Sequence, residues 1–513
     1  MSTENSKSIN ENLESNEVPK SNRILQNKLK SLFIEWSSSS TSHGIPNIFK
    51  TSQLYLKIVW IICFLASSGY CFSLIISYIT TFLEYGVTVS TIKVIETPIN
   101  FPAVTICNLN PFYANRSSWF IQEVLNNSNL IDTNSLLSNG ASAMSVVKII
   151  LEKLKIEASS NPTYTSNRVS LGFYIEDMLV SCSYSDSNCS TSDFSFFQSY
   201  DYGNCYTFNG NSSSIKTTSS AGPGNSFEIE LFSGDPNNEL LIYNRGFYVV
   251  VHNQSYSPLM DNEGVYVSIG RETNIGIDRS LYSRQKSPYS NCIVDPTSNK
   301  SSSSDLYQLI LNEMGEKLYR QVFCYKLCYQ VSVVNNCFCY DAAYPNTNIT
   351  NSSVRGCHTE TDLTCLASIK SSFQQDDIRY HCDNYCPIEC LSVSFSTSVH
   401  TASYPTDAYL NLLLRQSSFI SLFPASSNLT TAIPASVAKI NVFYNDISYT
   451  ALIESPTLTP DTLLGNIGGA LGLFIGISLL SVVEILELLC ELIRITYNHR
   501  QEKKIANKKM TDY

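Results

Sequence analysis

The sequence predicts a membrane protein in which two transmembrane helices flank a large, disulfide-rich α+β extracellular domain. Three observations carry that class. Ile58–Leu83 runs 26 residues without a charge and Thr462–Val483 runs another 22. Each is long enough to cross ~30 Å of hydrocarbon at ~1.5 Å per helical residue. Of 17 cysteines, Cys63, Cys71 and Cys490 sit in or beside those spans and the other 14 lie between them. Nine Asn-x-Ser/Thr sequons also fall between the spans, and none falls in either tail.

The expected division is a cytosolic tail over 1–57, a first span over 58–83, an extracellular domain over 84–455, a second span over 456–492 and a cytosolic tail over 493–513. The first 50 residues are polar, rich in Ser, Asn, Lys and Glu, and read as largely disordered, with no cleavable signal peptide. Residues 1–57 carry 7 Lys/Arg against 5 Glu, and 492–513 carry 6 Lys/Arg against 2 acids. Basic outer flanks (Lys50 and Lys57; Arg494, Arg500, Lys503, Lys504, Lys508 and Lys509) place both termini in the cytosol. The sequons at Asn115, Asn126, Asn188, Asn211, Asn253, Asn299, Asn348, Asn351 and Asn428 then mark a glycosylated outer domain.

Roughly 370 residues between the spans suffice for a large core. Apolar residues at helical spacing (Phe120, Val124, then Val146–Leu154) predict short helices within 116–160. Residues 165–290, with runs such as Gly246–Val251 and Gly264–Ile269, predict strands and loops. Ser301–Tyr329 opens on a Ser/Asp cap and repeats Leu306, Leu309, Ile310, Met314 and Leu318 in helical register; Val437–Ile453 alternates as a strand does. Outside the cell the 14 cysteines read as seven disulfides, nine of the cysteines falling within 324–390. Zinc is the rival reading of Cys337-x-Cys339 and the Cys382/Cys386/Cys390 run, and an oxidising compartment disfavours it. Order alone leaves the connectivity open.

The second span is not a plain anchor. Gly468-Gly469-Ala470-Leu471-Gly472 and Gly476-Ile477-Ser478 allow close helix approach or a break that bares carbonyls; ordinary small-residue packing is the alternative. Glu484, Glu487 and Glu491, at i, i+3 and i+7, share one face near the cytosolic boundary. Carboxylates at that depth are costly unless they face water, so the face either lines an aqueous path or is a solvated helix end. A constriction with carboxylates below it suits cations, and one chain supplies too few walls for a pore.

These residues resemble the degenerin/epithelial sodium channel superfamily, which includes acid-sensing and peptide-gated channels. The resemblance spans roughly 42–495 and rests on Ser42-His43-Gly44, Trp60, the run Phe101-Pro102-Ala103-Val104-Thr105-Ile106-Cys107-Asn108, the 14 cysteines, and Gly472-Leu473-Phe474-Ile475-Gly476-Ile477-Ser478 in that order. It implies a fist-like outer domain and a homo- or heterotrimer of related subunits around one pore. Gly476, Ile477 and Ser478 match the selectivity belt of a broken second helix, with Ile477 departing from the family's usual small residue. Gly472, Glu484, Glu487 and Glu491 are expected to line the pore, and His43 and Gly44 to belong to a gating loop. Family pairing implies Cys107–Cys205, Cys182–Cys189 and a nested ladder of Cys292–Cys390, Cys324–Cys386, Cys328–Cys382, Cys337–Cys365 and Cys339–Cys357, in which the 324 and 328 rungs are open to exchange.

The implied function is a ligand-gated, amiloride-sensitive, sodium-preferring cation channel of the plasma membrane. It needs membrane lipid and an extracellular ligand. No cofactor, metal or nucleic acid is implied; Na⁺ is the permeant cargo. The stretch Tyr85-Gly86-Val87-Thr88-Val89 lacks the His pair of acid-sensing members, and only His252, His358, His381 and His400 lie between the spans. A short neuropeptide is therefore favoured as the opener over protons or constitutive opening. A subunit that conducts only with heteromeric partners is the remaining alternative. An ecto-enzyme is disfavoured, since the chain shows no nucleophile elbow, zinc-protease motif or phosphate loop.

Overall fold

The computed structural model describes residues 25–128, 142–238, 242–261, 263–293, 319–345, 354–375 and 382–511. The chain forms two compact units: Met1–Thr88 with Pro456–Tyr513, and Val89–Ser455.

In the second unit, two sheets share one core. The larger has seven strands, in the order Leu391–Ser403, Arg271–Ser283, Val437–Pro456, Phe227–Phe232, Leu179–Tyr184 and Ser187–Asn188, with Val87–Ile95 also pairing to Val437–Pro456. Arg271–Ser283 and Val437–Pro456 run parallel; the other registered pairs are antiparallel. The smaller sheet orders Gly264–Val267, Phe247–His252, Ala103–Asn108, Gly203–Phe208 and Phe194–Ser199. Strand alternation explains the core between them. Ile440, Val442 and Tyr444 of one sheet and Val104, Ile106, Val249 and Val251 of the other are buried in a single cluster. Phe208 stacks on Phe227 at 4.0 Å between ring centroids. Each such side chain contributes about 1.5–3 kcal/mol of burial.

Helices Ala114–Asn127 and Ala143–Ser160 pack through Phe120, Val124, Val146, Ile150 and Leu154, the residues whose spacing predicted them. The helix read over Ser301–Tyr329 differs. Residues 301–318 lie outside the described residues, and the described helix is Gln321–Cys337, starting after the extended Arg320 and running eight residues past Tyr329. Its end is set by Phe338 at φ 55°, a left-handed cap that periodicity does not signal.

Seven disulfides hold this unit: Cys107–Cys205, Cys182–Cys189, Cys292–Cys390, Cys324–Cys386, Cys328–Cys382, Cys337–Cys365 and Cys339–Cys357. Local geometry dictates several. Cys107 and Cys205 stand directly opposite in antiparallel strands. Cys324 and Cys328 are one helical turn apart, as are Cys382 and Cys386, so two parallel rungs form without crossing.

The first unit contains Leu54–Leu83, a 30-residue helix long and apolar enough to cross a membrane, with only 6% of its most apolar window buried in this chain. Pro460–Phe474 and Leu479–Glu502 pass the same test together, bent by 74° at the break between them. The second helix continues to Thr511, so the basic segment read as a tail is helical through the described residues. The N-terminal stretch read as disordered also holds helix 25–39 and the short helix Ile45–Lys50. Composition hides the reason. Leu25, Leu29, Leu32, Phe33 and Trp36 fall at helical spacing inside a polar segment.

Candidate functional site

The break in the last helix pair is built by Gly476-Ile477-Ser478, and each residue has a distinct task. Gly476 adopts φ +74°, the left-handed region where an L side chain is strained. It ends helix Pro460–Phe474, and Ile477 N reaches back to Leu471 O at 3.2 Å. Ser478 opens the next helix. Its Oγ accepts from Ser481 N at 3.3 Å, while Ser481 Oγ accepts from Ser478 N at 3.1 Å, a reciprocal cap. Ile477, the bulky departure, turns its side chain toward a cluster formed by Cys71, Ala470 and Ile475, where Phe64 and Phe474 also pack. Its volume is thereby absorbed within the chain.

The break is occupied by the segment that precedes helix Leu54–Leu83. His43 N donates to Ile475 O at 2.8 Å, and Ser42 Oγ donates to the same oxygen at 3.1 Å. A carbonyl freed by the broken helix is thus satisfied twice. The approach is tight: a Cβ on Gly476 would lie 2.5 Å from His43 Cγ and Nδ1 and 2.7 Å from His43 N. Gly44, at φ +90°, begins helix Ile45–Lys50, and a Cβ there would sit 3.2 Å from Phe64 Cδ2 on Leu54–Leu83. His43 and Gly44 therefore stand against both helices, although more than 400 residues separate His43 from Gly476.

Two faces of the helix pair stay open in a single chain. Gly465, Gly468, Gly469 and Gly472 are spaced i, i+3, i+4 and i+7 on Pro460–Phe474, and a Cβ on any of them meets nothing within 4 Å. Packing within the chain does not explain them. On the next helix Glu487 and Glu491 are exposed while Glu484 is half-buried.

The amiloride-sensitive sodium channel family matches residues 36–488. The chain belongs to that family. It is 24% identical over 91% of its length, and 84% of the relative's, to an epithelial sodium channel subunit beta-2 of Xenopus laevis. It is 25% identical to a gamma subunit of Neoceratodus forsteri over 90% of this chain and 82% of that one. It is likewise 25% identical to the degenerin-like protein asic-2 of Caenorhabditis elegans over 88% of this chain and 85% of that one. A cryo-EM structure of a proton-activated chloride channel overlays at a TM-score of 0.31 and 6% identity, over 87% of this chain and 97% of that one, a likeness too slight to argue from. This amiloride-sensitive sodium channel family member is of the epithelial/degenerin type, an ion-channel protein and not an enzyme.

In this family member the remaining site residues are distributed over the Val89–Ser455 unit. Asn115, Asn126, Asn188, Asn211 and Asn428 are exposed and Asn253 is half-buried; Asn299, Asn348 and Asn351 lie outside the described residues. His252 is buried, with Nε2 2.8 Å from Thr105 Oγ1, whereas His400 lies on a strand of the other sheet and His358 Nδ1 sits 3.1 Å from Gly356 O. His381 lies outside the described residues. A cavity of about 450 Å³ in this unit is lined by Arg168, Tyr200, Asp201, Lys326 and Tyr344. Nearby, burial pushes the Asp341 carboxyl up, against backbone donation from Ala343 N at 3.0 Å. Sequence reasoning missed Thr41 and Ser481, whose hydroxyls meet at 2.8 Å. The Ser/Thr-rich run Ser37–Ser42 was the only signal, and it fell inside the polar first 50 residues that composition read as largely disordered.

Proposed function

We propose that this chain is a subunit of a ligand-gated, sodium-preferring, amiloride-sensitive cation channel of the plasma membrane, with both termini cytosolic and two membrane-spanning segments. The observation that carries the reading is the bent helix pair Pro460–Phe474 and Leu479–Glu502, with His43 seated against Gly476 at its break. A break bares carbonyls only where protein or water can satisfy them at membrane depth. Here one side of the break is closed by the chain's own loop, and the glycine face of the preceding helix is left bare, available to an axis shared by copies or related subunits. Three subunits would turn Gly472 and the Gly476-Ile477-Ser478 backbone into a narrow ring. The face bearing Glu484, Glu487 and Glu491 would continue the cation path below it. With the Ile477 side chain packed toward Cys71, backbone groups rather than side-chain bulk set the ring. The relatives named as subunits support assembly with related chains.

The stimulus favoured is a short extracellular peptide. The described histidines form no pair, and the 450 Å³ cavity offers tyrosines beside both acidic and basic groups, a lining suited to a peptide. Ligand binding would be carried to the spans through the two covalent connections near Glu84–Pro98 and Glu454–Asp461. Peptide panels applied at constant pH to cells expressing this chain test the stimulus. Peptide-evoked current is expected; current evoked only by acid would overturn it.

A further inference from the structure

We infer that Glu484 is a positioning residue whose carboxylate, with Thr41 and Ser481, fastens the pre-span loop to the lower lip of the break. The inference rests on the channel reading and reassigns one of its pore residues. Glu484 Oε2 accepts from Thr41 N at 3.1 Å. Trp36 Nε1 donates to Glu484 O at 3.3 Å. Thr41 Oγ1 and Ser481 Oγ are 2.8 Å apart, and Ser481, only 3% exposed, also caps Ser478. One hydroxyl therefore serves both the cap that restarts the helix and the loop that occupies the break. Three groups of the 36–41 segment meet Ser481 and Glu484 in the first turns of the helix, while the adjoining Ser42 and His43 bond Ile475 O. A carboxylate in a charge-assisted bond to a backbone N–H is oriented toward protein rather than toward a path for ions. Glu487 and Glu491, exposed on the same helix, keep the role of facing the permeant cation.

The fastening gives gating a mechanical handle. Moving the loop releases Ser481, which loosens the cap at Ser478, which frees the break. Conversely, any change at the break is felt at Thr41.

Two measurements on the full chain in cell membranes decide it. In the Thr41→Cys/Ser481→Cys double variant, oxidation followed by denaturing maleimide mass-tagging counts reactive thiols without reference to current. The double variant should tag no more thiols than the wild type, whose Cys63, Cys71 and Cys490 are unpaired, whereas each single variant tags one more. Two additional tags after oxidation would overturn the contact. In the second measurement, Glu484→Gln keeps a weaker, neutral acceptor for Thr41 N and should move the half-activating stimulus by about threefold, less than Glu484→Ala does, with the reversal potential unchanged. Glu484→Ala should move the half-activating stimulus by about tenfold at an unchanged reversal potential, as loss of a charged hydrogen bond predicts. A shifted reversal potential in Glu484→Gln with intact gating would make Glu484 a pore carboxylate and sink the inference. A silent wild type with both introduced thiols protected would defeat the channel reading while supporting the fastening.

Discussion

Replacing Gly476 by alanine puts the account of the break under the greatest strain. The new Cβ meets two penalties. At φ +74° an L residue carries about 1–2 kcal/mol relative to glycine. The Cβ would also stand 2.5 Å from His43 Cγ, so the imidazole must retreat by about 1 Å to reach ordinary contact near 3.5 Å. That retreat stretches the 2.8 Å bond from His43 N to Ile475 O, worth about 0.5–1.5 kcal/mol. The sum is about 1.5–3.5 kcal/mol, or roughly 10- to 300-fold in the equilibrium that keeps the loop in the break, at about 1.4 kcal/mol per tenfold. Voltage clamp with surface biotinylation reads this as a stimulus–response curve displaced by more than tenfold, or current lowered by that factor, at equal surface protein. Gly69→Ala is the control, because a Cβ there meets nothing within 4 Å and the helix tolerates alanine. A Gly476→Ala channel within twofold of wild type would refute the argument that space and φ together demand glycine.

Other expectations follow the same geometry. Ser478→Ala removes the cap oxygen bonded by Ser481 N and should lower detergent-solubilised stability by about 1 kcal/mol, with Ser478→Thr restoring it in thermal unfolding. The side-chain hydrogen bond from Arg355, then those of the Thr359 hydroxyl and the Thr359 and His358 backbone N–H groups, hold the Asp362 carboxyl below the usual carboxylate range. A depressed folded value means the contribution is complete above the unfolded value near ~4 and is lost as pH falls through the folded one. The stability gap between wild type and Asp362→Asn should thus be flat from pH 7 to 5 and shrink below ~4. Burial acts oppositely on Asp341: its folded value is raised, so the ionised form costs stability that returns as pH falls. Asp341→Asn should raise the unfolding temperature at pH 7, by an amount that fades on acidification; a drop at pH 7 would contradict this. Opening the Cys339–Cys357 bridge, which closes 18 residues, should cost about 3 kcal/mol and reduce surface delivery measured by biotinylation.

Much of this was legible because it is local. The 26 uncharged residues Ile58–Leu83, the alternation of Val437–Ile453 and the spacing of Phe120 and Val124 each encode their own element. The i, i+4 spacing of Cys324/Cys328 against Cys382/Cys386 fits uncrossed rungs once both are known to be on helical turns. Helix 25–39 was lost because its apolar stripe is thin and the averages around it are polar. The left-handed Phe338 and the helical run to Thr511 leave no periodic signal. Hardest to see was the meeting of Thr41, Ser42 and His43 with Ile475, Ser481 and Glu484. Nothing in a Ser/Thr run announces which distant carbonyl or carboxylate will receive its donors. The resemblance flagged His43 and Gly476 separately; the fold shows that they are one structure.

The most direct test is the conductance of the purified chain in planar bilayers bathed by opposed Na⁺ and K⁺ gradients. A current blocked by amiloride, reversing toward the Na⁺ potential, and abolished by a thiol reagent only when Ser478→Cys is present is the expected result. A thiol reagent without effect on a conducting Ser478→Cys channel would contradict a pore at the break. Oriented, folded protein with no amiloride-sensitive conductance under peptide or acid, alone or with related subunits, would contradict the channel itself.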